Sequence, residues 1–387
     1  MELTELKRTR FPISVLSGDL GKTIWNKYSA WVEVSFPSPA TDDEWELYSS
    51  GAVGYLPLGD GNVLSIRPRV PIQSIFRMWA IAEDVKIEQP PGDVGVQTLE
   101  NLLDWIAAEL ARGALHRLGR GLYRAYVDVE DELSTLRGRL DLRAKLMRPW
   151  RVELPCEFQE LTADVAENQI LMAGLLASAY TGLGAQILSE VRKSWWLCLR
   201  SGVSPSAVSP DECVGRTYSR LNMDYERLHW LSHFMLSGTA PTHEAGEAKL
   251  RAFIIQMPRL FERFVAAWLK RNLPAPLRCE SQIHLALDRR IEFIADLVIR
   301  GAGDQPRAVL DTKYKIDRDP EPADIAQVVA YAEHLGCPAA ILLYPTRNHR
   351  PVDIQVGGVR VRSLPFPLDD DLDSAGNELV ERLHLAS

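Results

Sequence analysis

The first 95 residues show the alternating and short apolar runs that are typical of β-strands. Apolar and polar residues alternate over residues 31–36, and residues 53–58 form a nearly continuous apolar run. A turn sequence at residues 60–62, Asp-Gly-Asn, leads into another apolar stretch. We therefore predict a β-rich N-terminal domain over residues 1–95.

After residue 96 the apolar spacing changes to the 3.6-residue period of amphipathic helices. The first such helix is marked by Leu99, Leu102, Leu103, Ile106 and Leu110. We predict a β-hairpin over residues 123–142 and further helices over 165–180, 185–199 and 220–236. These elements define a mainly helical middle region, residues 96–245.

In the last third of the chain, residues 291–299 and 308–314 have the length and β-branched content of strands, and a Gly-Ala-Gly-Asp turn separates them. They predict a hairpin. Because side chains alternate along a strand, Asp311 and Lys313 project from the same face. Asp296 lies within the preceding apolar run, where an ionised carboxylate needs a cation or a metal as a partner. Two acids and a lysine predict a site for a hard divalent ion with an activated water.

Helices are predicted on both sides of this hairpin. The earlier helix begins near Pro258, has one apolar stripe formed by Phe261, Phe264, Val265 and Trp268, and carries Glu262 at the edge of that stripe. The later helix runs from Pro322 to Gly336 and carries Gln327 and Tyr331 on one face. A strand follows at residues 339–344. We predict a C-terminal α/β domain over residues 246–387, and an α+β multidomain protein as a whole.

Composition narrows the class of protein. The 387 residues are 46% hydrophobic and 25% charged, with no run of 18 apolar residues and no signal-like N-terminus, so we expect a cytoplasmic protein without a membrane partner. The net charge of −8 argues against a protein that coats nucleic acid. A local basic segment at residues 137–151 either contacts phosphates or pairs with acids elsewhere. Five scattered cysteines indicate neither a disulfide framework nor a zinc or iron–sulfur site.

Two further motifs are weak. Residues 17–23, Ser-Gly-Asp-Leu-Gly-Lys-Thr, lack the first glycine of a P-loop, and we interpret them as a surface turn in a chain without its own NTPase. His229 and His233 have the spacing of a helical zinc pair but lack the glutamate of a metalloprotease motif, so a core or surface role is the better interpretation.

Asp296, followed by Asp311-Thr312-Lys313, resembles the signature of the PD-(D/E)xK nucleases, and Glu262 corresponds to the helix acid of that superfamily. The Gln327 and Tyr331 pair is similar to that of its RecB-like branch. More specific likenesses point to the McrC family, the nuclease subunits of the McrBC systems that cut DNA carrying modified cytosine. They are residues 54–58, 64–71, 75–78, 136–141, 168–171, 293–297 and 310–315, together with Cys156 and Thr162. One departure is Ala295, where the family often has proline.

The resemblance implies a C-terminal PD-(D/E)xK core that cuts double-stranded DNA. Glu262, Asp296, Asp311 and the carbonyl of Thr312 are expected to hold Mg²⁺, with Mn²⁺ as a substitute. Lys313 is expected to orient or help deprotonate the attacking water and to steady developing charge. Gln327 and Tyr331 are expected to position the phosphate backbone or brace the acids.

The same resemblance implies a partner, a McrB-like AAA+ GTPase hexamer, which would dock on the N-terminal and middle regions and whose hydrolysis the chain would stimulate. Two alternatives stay open. One is a stand-alone RecB-like repair or recombination nuclease that works on DNA ends. The other is a non-catalytic activator of a partner NTPase.

Overall fold

The computed structural model describes residues 1–59, 61–84, 98–239, 251–288, 291–369 and 371–383. The predicted domain boundaries near residues 95 and 245 lie outside the described residues. The α-helices in these ranges are α1 (Gly18–Tyr28), α2 (Ile72–Ala82), α3 (Leu99–Arg120), α4 (Leu142–Met147), α5 (Ala166–Ser178), α6 (Ala185–Arg200), α7 (Tyr225–Gly238), α8 (Met257–Asn272), α9 (Pro322–Leu335) and α10 (Leu372–Leu383).

The strands in the same part of the chain are β1 (Glu2–Thr4), β2 (Thr9–Phe11), β3 (Glu33–Ser35), β4 (Trp45–Tyr48), β5 (Ala52–Gly59), β6 (Asn62–Arg67), β7 (Ala125–Leu133), β8 (Arg139–Leu140), β9 (Leu154–Thr162), β10 (Phe253–Gln256), β11 (Arg278–Asp288), β12 (Ile291–Arg300), β13 (Pro306–Thr312), β14 (Ala339–Tyr344), β15 (Asp353–Val356) and β16 (Val359–Pro365). The predicted mixture of helices and sheets is confirmed.

The chain forms two compact units, one made of residues 1–102 with 251–387 and the other of residues 103–250. The first unit contains a six-stranded sheet in the order β11-β12-β13-β14-β16-β15. Its first three strands are antiparallel, and β13, β14 and β16 are parallel. Because parallel neighbours need a crossover, α9 connects β13 to β14 and packs on the sheet. Five of the six residues of β14 are buried, as expected for a central strand.

The N-terminal and C-terminal regions belong to one compact unit. Strand β10 pairs with β5 and joins the N-terminal four-stranded sheet, in the order β1-β6-β5-β10. The approach is close at Gly54, where φ is +149° and an added Cβ would lie 1.8 Å from the carbonyl oxygen of Phe253. Only glycine fits such a contact, so Gly54 allows the N-terminal sheet to pair with β10, the strand that leads into α8.

Residues 17–23 form no surface turn, contrary to our interpretation. Ser17 caps α1, and its hydroxyl accepts a hydrogen bond from the backbone N–H of Leu20. The glycines that suggested a turn have other roles: Gly18 is the first helical residue, and a Cβ on Gly21 would lie 2.5 Å from the ring of Trp45.

In the second unit, helices α5 and α7 pack against each other around a buried polar core. His229 belongs to this core, where its ring nitrogens bond to the hydroxyl of Tyr218 and the carbonyl of Glu167. Burial lowers the pKa of His229 to about 4, so the ring is neutral near pH 7. The predicted hairpin over residues 123–142 is wrong, because β7 pairs with β9 instead, and β8 adds to the other edge of β9.

The basic segment of this unit is largely paired with acids. Arg139 contacts Glu157 at 2.6 Å, Arg148 lies 3.2 Å from Glu132, and Arg151 also pairs with Glu132. The segment instead exposes large apolar side chains, with Leu146 78% and Trp150 76% exposed. Other exposed members of this apolar patch are Leu136, Leu142, Met147 and Val152. In neither unit do the described helices include one long and apolar enough to cross a membrane.

Candidate functional site

The hairpin of β12 and β13 positions the two predicted strand acids. The antiparallel register pairs Leu297 with Leu310, so Asp296 and Asp311 follow next at the same end of the hairpin. One carboxylate oxygen of Asp296, Oδ2, accepts hydrogen bonds of 2.8 Å from both the backbone N–H and the hydroxyl of Thr312. Asp296 thus finds its partners in the neighbouring strand, and its other oxygen accepts no hydrogen bond from the described residues.

Asp311 and Lys313 lie on one face, as predicted, and their Oδ2 and Nζ atoms are 2.7 Å apart. Asp311 is only 2% exposed. Burial, reinforced by the negative charge of Asp296, raises the pKa of Asp311 to about 6 even though Lys313 opposes the shift. Binding of a proton or a cation would therefore stabilise this carboxylate.

The two α9 residues predicted for the site join it through Lys313. The ammonium group donates to Oε1 of Gln327 at 2.9 Å, and Nε2 of Gln327 donates to the hydroxyl of Tyr331 at 2.6 Å. The ring of Tyr331 packs on Phe293 of β12, with centroids 5.7 Å apart. The pair therefore braces the lysine, and Tyr331 in turn is fixed by packing against the hairpin.

Asp324 is a residue of this network that the sequence analysis missed. Its carboxylate lies 2.8 Å from Nζ of Lys315 and 3.7 Å from Nζ of Lys313, and it also accepts from the backbone N–H of Glu321 at the start of α9. Burial lowers the pKa of Lys313, but the charges of Asp311, Asp324 and Asp296 outweigh it and raise that pKa. A signal existed in the sequence: Asp324 precedes Gln327 by three residues and so shares its face of the helix.

Glu262 faces the same site from α8. Burial and the charge of Asp296 raise its pKa, and the amide of Gln282 donates to its Oε1. Glu262, Asp296, Asp311, Thr312, Lys313 and Gln327 all line one cleft of about 880 Å³. After burial, the negative charge of Asp296 is the largest cause that raises the pKa values of Glu262 and Asp311, as expected for carboxylates that share a site without a cation.

The donors of this cleft suit a hard cation, since carboxylate and carbonyl oxygens are what Mg²⁺ prefers. Mutual repulsion among the acids would be relieved by a positive ion. Within the described ranges, however, no three His, Cys, Asp or Glu side chains are already grouped closely enough to hold a metal. Lys313, Gln282 and Thr312 occupy one oxygen each of Asp311, Glu262 and Asp296, so a cation would have to use the remaining oxygens or displace these donors.

Glu5 has a buried carboxyl group that contacts the residue next to Lys313. Oε1 of Glu5 accepts from the hydroxyl of Tyr314 at 2.9 Å and from the backbone N–H of Arg69 at 2.8 Å. Its second oxygen has no hydrogen-bond partner among the described residues, and burial raises the pKa of Glu5 to about 7. Through Glu5, the N-terminal region therefore forms a hydrogen bond with Tyr314, which directly follows Lys313. Sequence analysis gave no indication of this contact, which joins positions 309 residues apart.

Comparison with known proteins places this geometry in a family. No curated protein matches the chain significantly. Among solved structures, a half-complex from a tetradecameric assembly of Thermococcus gammatolerans McrB AAA+ hexamers with bound McrC matches with a TM-score of 0.61 and 19% identity, covering 99% of both chains. At that identity the match establishes a shared fold.

A second structure, the McrBC complex of the same organism, matches with a TM-score of 0.45 and 20% identity over 70% of this chain and 87% of that chain. The family model described as "McrBC 5-methylcytosine restriction system component" matches residues 47–345, which is most of the sequence. The predicted family is confirmed: this chain belongs to the McrBC 5-methylcytosine restriction system component family.

Proposed function

We propose that the chain is the Mg²⁺-dependent endonuclease subunit of a modification-dependent restriction system, cutting double-stranded DNA when a McrB-like AAA+ GTPase hexamer drives it. The observation that carries this proposal is the buried Asp311 in contact with Lys313, in one cleft of about 880 Å³ with Asp296 and Glu262. Family membership supports the restriction system as its setting.

The element order also supports a PD-(D/E)xK core. Helix α8 carries Glu262, strands β12 and β13 carry the two aspartates, α9 carries Gln327, and β14 follows in parallel with β13. This is the order of helix, three strands, helix and strand that we expected from the sequence. Asp311 and Lys313 lie at the end of β13, and Asp296 lies beside them in the middle of β12.

In this proposal Glu262, Asp296, Asp311 and the Thr312 carbonyl would hold Mg²⁺, which when bound would lower the pKa of a water and neutralise charge on the phosphate. Mn²⁺ can substitute. Lys313 presents an ammonium group that stabilises negative charge as it develops on the phosphate oxygens. Gln327 orients that ammonium through its 2.9 Å hydrogen bond, and Tyr331 fixes the amide of Gln327.

The partner would dock on surfaces that include the apolar patch of the second unit. Six large apolar side chains between residues 136 and 152 are exposed, among them Leu146, Met147 and Trp150, and exposed apolar surface is typical of interaction sites. The solved assemblies named above contain McrB hexamers with bound McrC. Failure of the purified chain and its McrB-like partner to elute together would contradict docking.

Reconstitution tests the catalytic proposal. We expect the chain, its McrB-like partner, GTP and Mg²⁺ to cut a plasmid with methylated cytosine, and we expect chelation of Mg²⁺ or omission of the partner to abolish cutting. Efficient cutting of ordinary duplex DNA by the chain alone would contradict the partner-driven mechanism. Digestion restricted to linear DNA would favour a nuclease that works on ends.

A further inference from the structure

The cleft that contains the acids has a second wall, formed by the N-terminal region. Ala30, Trp31, Ser50, Gly51 and Ala52 line it opposite residues of α8 and the catalytic strands. No acid is present among these five residues. Ser50 is exposed, and Trp31 is partly exposed beside the ring of Tyr28. This wall therefore offers an uncharged surface to whatever enters the cleft.

Backbone contacts fix the spacing between this wall and α8. Ala52 pairs with Gln256, and the N–H of Met257 donates to the carbonyl of Gly51 at 2.8 Å. Gly51 has φ of +106°, and an added Cβ would lie 2.9 Å from Cδ of Pro258. Gly51 and Ala52 are thus linked by backbone pairing to the start of α8, so this part of the wall is fixed next to the helix that carries Glu262.

Arg259 lies on that first turn and lines the cleft. It is exposed, and among the described residues no acid forms an ion pair with it. The other arginines of α8 are neutralised, since Arg263 pairs with Glu83 and Arg271 pairs with Asp84. Arg259 sits one turn before Glu262, and its charge opposes the rise in the pKa of that carboxyl.

We propose that Arg259 binds a backbone phosphate next to the one that Lys313 contacts. The nucleic-acid strand then runs along the cleft past the first turn of α8 and the N-terminal wall, with Trp31 in contact with its sugars or bases. A guanidinium with no acidic partner is suited to this role, because its forked donors match two phosphate oxygens. The assignment rests on the proposed function and adds a substrate contact to it. It also makes the N-terminal region part of the substrate cleft.

The test is the salt dependence of DNA binding by the full chain in an Asp311→Asn background, which binds without cutting. Arg259→Gln should reduce the slope of log K against log salt by about 0.9, the value for one phosphate contact, whereas Arg259→Lys should retain the slope. Between 50 and 200 mM salt, the background protein should then lose about 3.5-fold more affinity than the Gln variant. The matched control is Arg271→Gln, on the same helix but outside the cleft, which should leave the slope unchanged.

Equal slopes for Arg259→Gln and Arg271→Gln would overturn the assignment. Cutting by the reconstituted wild type is measured in parallel, so that the two proposals separate. A chain that cuts DNA but shows no Arg259-dependent slope contradicts only the phosphate contact. A chain with an Arg259-dependent slope that never cuts contradicts only the nuclease.

Discussion

At the scale of single residues, the site is organised around one ammonium group. Lys313 touches Asp311 and Gln327 directly and lies 3.7 Å from Asp324. The negative charges of Asp311, Asp324 and Asp296 raise the pKa of Lys313 despite its burial, so the side chain stays charged near neutral pH. A lysine that stays charged is better suited to stabilising negative charge than to removing a proton from water. Of the two roles that we expected for Lys313, we therefore favour charge stabilisation.

Asp324 should act as a positioning residue for Lys313. Replacing it with asparagine removes the charge that holds Lys315 and Lys313, but keeps an oxygen that can cap α9. We expect Asp324→Asn to lower kcat for cleavage about tenfold with little change in KM, because small misplacements of catalytic groups are costly. Steady-state cleavage by the reconstituted complex measures this.

Glu321→Gln is the matched control for this variant. Glu321 also pairs with Lys315, at 3.3 Å, but it is half exposed, and the ion pairs of Lys313 are with Asp311 and Asp324 instead. The control should leave kcat unchanged. A kcat of Asp324→Asn equal to that of the wild type would show that the carboxylate supports only the helix.

Local sequence predicted the residues whose partners are close in the chain. Asp311 and Lys313 share a strand face, and Gln327 and Tyr331 share a helix face, so alternation and helical spacing were enough to pair them. Glu5 could not be found in this way. Its role depends on a contact with Tyr314 across 309 positions, which no local period encodes.

At the scale of elements, the sequence predicted best those features that depend on residues close together in the chain. Helix α9 begins at Pro322, and Gly336, which adopts the left-handed conformation, caps its C-terminal end. Both residues mark the helix ends as the sequence predicts. Strand β14 has the predicted bounds. Strand partners were harder, because β7 pairs with β9 rather than with β8, and β10 pairs with β5 about 200 residues away. The pairing of strands depends on tertiary packing, which the β-propensity of a sequence does not predict.

The contact between the end of β1 and the loop after β13 predicts a pH dependence of stability. Glu5 has a pKa raised to about 7 in the folded protein, against 4.5 as the ordinary value. The folded state therefore holds a proton that the unfolded state releases, so this contribution is complete below pH 4.5 and is lost as pH rises to about 7. We expect Glu5→Gln, which does not titrate, to gain about 3 kcal/mol of unfolding free energy relative to wild type over this window.

Urea unfolding at pH 4.5 and pH 8 measures the difference. Glu46→Gln serves as the control. Hydrogen bonds from Arg10 and Arg8 lower the pKa of Glu46, so its contribution to stability is lost only as pH falls below the ordinary value of 4.5, and the difference between this variant and wild type should stay nearly constant from pH 4.5 to pH 8. A Glu5→Gln variant whose advantage does not grow with pH would show that the buried carboxyl is not protonated in the folded protein.

At the scale of the whole molecule, the two compact units fit a division of labour. The first unit contains the acids, Lys313 and the cleft, including the wall supplied by the N-terminal region. The second unit has a buried polar core and the exposed apolar patch. We infer that cutting belongs to the first unit and that the second contributes to docking on the partner hexamer. Each activity should then be separable by mutation.

The most direct measurement compares wild type with Lys313→Ala in the complex reconstituted with the McrB-like partner, recording both GTP hydrolysis and cutting of methylated DNA. We expect the variant to lose cutting at least a hundredfold, an order-of-magnitude figure for loss of a charge-stabilising group. Stimulation of GTP hydrolysis should be retained. Equal cutting by Lys313→Ala and wild type would contradict the nuclease site and favour a non-catalytic activator.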